Sequence, residues 1–106
     1  MDSNADFRVG DVLVKLKGSC EFWIVTKVTY HTVWFGYIRS ILVYDGEYDC
    51  YRLPDLEDAR EYGPFYETGS TIRFDKWGRA YVRDPGLNHL YKWDGNLVYD
   101  SSMAEE

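Results

Sequence analysis

Apolar residues along this chain recur at every second position more often than at every third or fourth, and glycine-containing turns interrupt them at short intervals. Such alternation places one set of side chains on one face of an extended strand and the intervening set on the other. Val9 to Leu16 (VGDVLVKL) predicts a first strand, with Val12, Val14 and Leu16 on one face and Leu13, Lys15 and Lys17 on the other, after which Lys17 to Cys20 turns the chain. Phe22 to Tyr30 (FWIVTKVTY) and Thr32 to Ser40 (TVWFGYIRS) predict a hairpin. A tight turn near His31 and Thr32 sets Val28 opposite Phe35 and Ile24 near Tyr37 or Arg39, with Trp23, Val25, Trp34 and Ile38 on the second face. Both faces of this pair are largely apolar, so the two strands are either central and covered on both sides or partly exposed to bind a partner, and the covered arrangement is the expected one because core packing is the commoner fate of such residues.

Turn chemistry divides the rest of the chain. Asp45-Gly46 within ILVYDGEYD predicts a two-residue type I′ turn that pairs Val43 with Tyr48 and Ile41 with Cys50, leaving Cys50 a buried thiol. Leu53 to Pro64 (LPDLEDAREYGP) breaks the alternation. Pro54 suits a first helical turn, Gly63 a left-handed C-terminal position, and Pro64 blocks continuation, which predicts a short acidic helix near 54–62. Leu56, Ala59 and Tyr62 line its inner side, with Glu57, Asp58 and Glu61 toward solvent. In Thr71 to Arg83 (TIRFDKWGRAYVR), a three-residue loop Lys76-Trp77-Gly78 pairs Ile72 with Val82, Arg73 with Tyr81 and Phe74 with Ala80, separating apolar from polar positions and setting Asp75 across from Arg79. Tyr91 to Asp100 (YKWDGNLVYD) predicts a last hairpin turning at Asp94-Gly95, with Tyr91 opposite Val98 and Leu90 opposite Tyr99. The sum is an all-β fold with minor α content, an antiparallel meander of about seven or eight short strands closed into a barrel or small sandwich.

Composition narrows this picture. With 106 residues, 45% apolar and 18% aromatic, the chain is expected to form one domain over 1–106, with polar ends at 1–5 and 101–106 disordered. No basic and apolar secretion signal opens the sequence, and no run of about 18 apolar residues occurs. A soluble cytoplasmic protein with Cys20 and Cys50 as thiols is therefore expected.

Charge is unevenly distributed. Eight acidic residues and two arginines lie between Asp45 and Glu67, matching the net charge of -6 for the whole chain. Thr71 to Lys92 carries five basic residues against two acidic ones. Catalytic constellations are lacking: there is no glycine-rich phosphate loop, nucleophile elbow or His-Glu-x-x-His. His31 and His89 read as turn or surface residues, and Cys20, His31, Cys50 and His89 lack the close spacing of a zinc site. The expectation is a protein without catalytic residues, metal or cofactor.

Two surfaces follow from the charge layout. The acidic one comprises Asp45, Glu47, Asp49, Asp55, Glu57, Asp58 and Glu61, with Glu67 beyond; carboxylates so concentrated can imitate the phosphates of a nucleic acid in a basic groove of another protein. Its partner is expected to be a protein, such as a nucleic-acid-handling enzyme that it inhibits. The alternative is the polar face of the Thr71 to Arg83 hairpin, where Arg73, Lys76, Arg79 and Arg83 alternate with Trp77 and Tyr81 as single-stranded nucleic acid requires. The bland readings are a solvated acidic face and an amphipathic hairpin kept soluble by its arginines.

Phe7 to Val14 (FRVGDVLV) followed by FWIVTKV resembles the opening of small SH3-like barrels. That resemblance implies a binding module using Trp23, Tyr30, Trp34 and Tyr37. Asp94, Asn96 and Val98 match three positions of the Gln-x-Asp-x-Asn-x-Val-x-Tyr pattern of monocot mannose-binding lectins, but Lys92 and Asp100 replace its ends, and the hairpin turn accounts for Asp94 and Asn96. In general character, small, acidic and aromatic-rich, the chain resembles accessory proteins of phages and mobile elements.

Overall fold

The computed structural model describes residues 7–15, 20–46, 49–74, 76–77, 80–82 and 90–100, with the backbone alone at 73, 74, 80–82 and 90. Expectations for Leu16, the turn after it, Gly78, the Asp75–Arg79 pair, His89 and both chain ends lie outside the described residues.

Nine strands and one helix make up the described chain: β1 (Val12–Lys15), β2 (Glu21–Val28), β3 (Thr32–Ile38), β4 (Ser40–Asp45), β5 (Asp49–Pro54), α1 (Leu56–Tyr62), β6 (Tyr66–Phe74), β7 (Ala80–Val82), β8 (Leu90–Lys92) and β9 (Val98–Tyr99). They form a six-stranded sheet ordered β7-β6-β3-β2-β1-β8 and a three-stranded sheet ordered β4-β5-β9, antiparallel throughout. The described residues are thus mostly β with one short helix. Only Arg39 separates β3 from β4, so a nearly continuous stretch passes from the large sheet into the small one, and Asp55 N–H donates to the Arg39 carbonyl at 2.8 Å to hold that corner.

The central strands are buried on both faces. Leu13, Trp23, Val25, Val33, Phe35 and Ile72 form one cluster, with Phe7 and Tyr37 packed against it. Val14, Phe22 and Ile38 form the other, covered by Leu56 and Ala59 of α1, by Trp93 and by Val98. Full burial of a side chain such as Phe22 or Phe35 contributes about 1.5–3 kcal/mol.

Several sequence-based pairings are corrected. The β2–β3 turn is centred on Tyr30-His31, because Thr29 and Thr32 bond to each other through backbone and hydroxyl, so Val28 lies opposite Val33 and not Phe35. A bulge at Thr26 then shifts the register, pairing Val25 with Phe35 and Ile24 with Gly36. The extra residue reverses the parity of the pair, which removes Trp34 and Ile38 from the face of Trp23 and Val25. In β4–β5, Val43 lies opposite Tyr51 and Ile41 opposite Leu53, not Tyr48 and Cys50. Gly46 is left-handed there, at φ 78°, and because Asp45 pairs with Asp49 the connection spans three residues, one more than a two-residue type I′ turn has. Cys50 is nonetheless buried and free. By contrast, β6–β7 has the expected register, Ile72 with Val82, Arg73 with Tyr81 and Phe74 with Ala80.

The last hairpin does not form. β8 pairs with β1, and Trp93 N–H extends that pairing to the Val12 carbonyl at 2.9 Å, whereas β9 pairs with β5 in the other sheet. Tyr91 is thus opposite Val14 and not Val98. The indole of Trp93 sets this corner by meeting Phe22 edge-on at 6.2 Å and donating to the Asn96 carbonyl at 2.7 Å. Pro54 ends β5 opposite Ser40 and stands outside the helix. Tyr62 is 75% exposed and does not join Leu56 and Ala59 on the inner side of α1.

Candidate functional site

The contiguous acidic segment is taken apart by the fold. Asp45 and Asp49 face each other across the open end of β4–β5, both exposed, where like charges repel. Glu47 lies outside the described residues. Asp55 sits at the far end of β5, about 20 Å away at ~3.3 Å per strand residue. It is the N-cap of α1: its Oδ1 accepts from Asp58 N–H at 3.0 Å. A half-buried carboxylate engaged in that way is a structural group. Glu57 and Glu61 are exposed one helical turn apart, and Asp58 is half-buried beside them. Glu57 and Asp58 also stand in the first turn, where the helix dipole favours negative charge. Among the described residues, none of Asp45, Asp49, Glu57, Asp58 or Glu61 has an ion-pair partner. Glu67 is separate again, on β6, where its Oε2 accepts from Thr26 Oγ1 at 3.2 Å.

The basic hairpin is described only in part. Arg73 and Tyr81 are backbone partners in β6–β7, while their side chains, Arg79 and Arg83 lie outside the described residues. Lys76 and Trp77 are exposed, and the ammonium lies over the indole ring at 4.4 Å, a cation–π contact.

Trp23, Tyr30, Trp34 and Tyr37 do not form one surface. Trp23 is buried in a cluster with Tyr37 at 5.2 Å and Tyr66 at 5.6 Å, and its indole N–H has no partner among the described residues. Tyr37 touches Phe65 as well, and burial raises its hydroxyl pKa above the ordinary value, helped by Glu21. Trp34 lies on the opposite face against Gly69, where an added Cβ would come within 3.0 Å of the ring. Tyr30 stacks edge-on with His31 in the turn.

Asp94, Asn96 and Val98 are absorbed locally. Asp94 Oδ1 accepts from Asn96 N–H at 3.0 Å, which lowers the carboxyl pKa, Gly95 is left-handed at φ 90°, and Val98 packs into the core. A cleft of about 340 Å³ lies beside this corner, lined by Val14, Tyr91, Trp93, Leu97 and Tyr99 among others.

Two features escaped the sequence reading. The first is the exposed apolar strand β4, whose ILVY run looks like core until the sheet order puts it at an edge. The second is a polar network: Arg52 Nε donates to Asp100 Oδ2 at 2.5 Å and Arg52 Nη1 to Ser40 Oγ at 2.7 Å, with Asp100 2% exposed. The opposite signs of Arg52 and Asp100 were visible, but nothing local joins residues 48 positions apart.

Among the described residues, no group of three or more His, Cys, Asp and Glu is placed to hold a metal ion, and no helix is long and apolar enough to cross a membrane. No protein-family model matches the chain, and no curated protein or solved structure shows significant similarity to it.

Proposed function

We propose that this is a non-enzymatic binding protein that docks on a basic surface of another protein through the carboxylates of α1, with Asp45 and Asp49 as a second, separate contact. The partner class that suits this charge is an enzyme with a groove built for nucleic acid, which the protein would occupy and inhibit in the manner of an accessory protein of a phage or mobile element. The observation that carries the reading is the set Glu57, Asp58 and Glu61, displayed without ion-pair partners among the described residues on a helix capped by Asp55 and packed through Leu56 and Ala59 against the cluster of Val14, Phe22 and Ile38. Carboxylates held on a packed element need less ordering on binding than the same charges on a loop.

Affinity capture on the immobilised chain, with and without nuclease, tests it. A partner retained after nuclease and lost with Glu57→Lys/Glu61→Lys is the expected result, while undiminished capture by that variant removes the acidic-helix reading. A second reading, single-stranded nucleic acid bound by the β6–β7 hairpin of an SH3-like module, is favoured by Trp77 standing 68% exposed beside Lys76. Oligonucleotide binding that falls steeply with salt and is lost with Trp77→Ala would support it in place of the first.

A further inference from the structure

We propose that β4 is a docking edge for a second copy of this chain, the two copies joining through an antiparallel β4–β4 pair about a two-fold axis at Leu42. In the small sheet β4 bonds only to β5, so its outer row of backbone N–H and C=O groups has no strand partner among the described residues. It is also long for an edge. Among the described residues the other terminal strands, β7, β8 and β9, have three, three and two residues, whereas β4 has six. Soluble proteins guard such edges with proline, lysine or a bulge, and Ser40 to Asp45 (SILVYD) contains no proline or lysine and pairs with β5 without interruption. Apolar groups are exposed on both faces of it: Ile41 at 45%, Leu42 at 38% and Tyr44 at 64%.

Charge decides the occupant and the register. Arg39 precedes the strand and Asp45 ends it, both exposed and neither in an ion pair among the described residues. Antiparallel pairing centred on Leu42 sets Leu42 against Leu42 of the second copy, Ile41 against Val43, and Arg39 against Asp45 at both ends. Parallel pairing would set Arg39 beside Arg39 and Asp45 beside Asp45, and shifting the antiparallel register by a residue loses both opposite-charge pairs. The strand is therefore complementary to itself in one arrangement, the self-complementary patch that a two-fold interface requires. A six-residue edge with three exposed apolar groups makes a small contact, so the dimer is reversible and its population rises with concentration.

Sedimentation of the full chain over micromolar concentrations tests the proposal, with circular dichroism confirming that each variant is folded. Wild type should pass from monomer to dimer. Asp45→Arg and Arg39→Asp should each weaken association about tenfold by turning two attractive cross-strand pairs into repulsive ones, and the double exchange should restore it. Leu42→Lys, which brings two ammonium groups together on the axis, should leave a folded monomer. Glu57→Lys/Glu61→Lys should leave the dimer intact, which separates this interface from the acidic-helix reading. A wild-type chain that stays monomeric throughout, an Asp45→Arg variant that associates as well as wild type, or a double exchange that fails to recover would each overturn the proposal.

Discussion

Arg52 and Asp100 tie the small sheet together from distant points of the chain. Asp100 is almost fully buried, and the guanidinium that faces it also reaches Ser40 on β4, so one side chain links β4, β5 and the residue after β9. The hydrogen bond to Asp100 raises the Arg52 pKa further above its ordinary value, keeping it charged at any pH the fold meets. Arg52→Ala would remove the guanidinium that pairs with this buried carboxylate, at a cost of about 3 kcal/mol. Urea unfolding is expected to show that loss as a lower midpoint with an unchanged slope. Cys20 carries a second residue-scale expectation. Burial foremost, and then the Asp100 charge, push its thiol from 9.0 up to about 11. Alkylation of folded protein at pH 8 should thus be much slower than that of a free thiol and should accelerate as pH nears 11; a rate at pH 8 equal to that of the denatured chain would contradict it. The folded state holds this proton more tightly than the unfolded state, so the contribution is complete below pH 9 and is lost as pH rises through about 11.

At the scale of elements, α1 depends on its cap. Seven residues are too few for a helix stable by itself, so the Asp55 side chain and the packing of Leu56 and Ala59 hold it. Asp55→Ala is expected to cost about 1 kcal/mol, measurable by thermal unfolding, without loss of the β signal in circular dichroism. This helix was legible because Gly63 and Pro64 end it with residue types that permit little else; Gly63 is left-handed and donates to the Ala59 carbonyl. The β6–β7 register was legible because only one pairing separates apolar from polar positions. Where a pattern is apolar on both faces, as in β2 and β3, parity has no polar side to fix it, and the bulge at Thr26 left no mark in sequence. The first half of β6 was hidden for the opposite reason. Glu67, Thr68, Gly69 and Ser70 do not alternate, yet they pair with β3, and just before them Pro64 packs against Gly36, where a Cβ would come within 2.5 Å of the proline ring.

For the whole molecule, the charge layout read from sequence was right in amount and incomplete in space. The eight acids lie close together along the chain, but the fold places Asp45, at the end of β4, and Asp49, at the start of β5, at one end of that pair and the helix group at the other, about 20 Å apart by strand rise. That separation exceeds the screening length of ~8 Å at physiological salt, so the two groups would act independently on the proposed partner. Reversals at Asp49 and at Glu57 should accordingly add in their effect on partner affinity, and coupling much above about 0.5 kcal/mol in a double-mutant cycle would show that they share a contact. The passage of the chain from β8 in the large sheet to β9 in the small one has a further consequence, for synthesis. As the polypeptide leaves the ribosome, β4 and β5 can pair early, but one flank of β5 stays open and Arg52 stays without its carboxylate until Val98 to Asp100 emerge. The small sheet of the nascent chain therefore passes through an interval in which it exposes both of its flanks, and the arrival of three residues closes one of them.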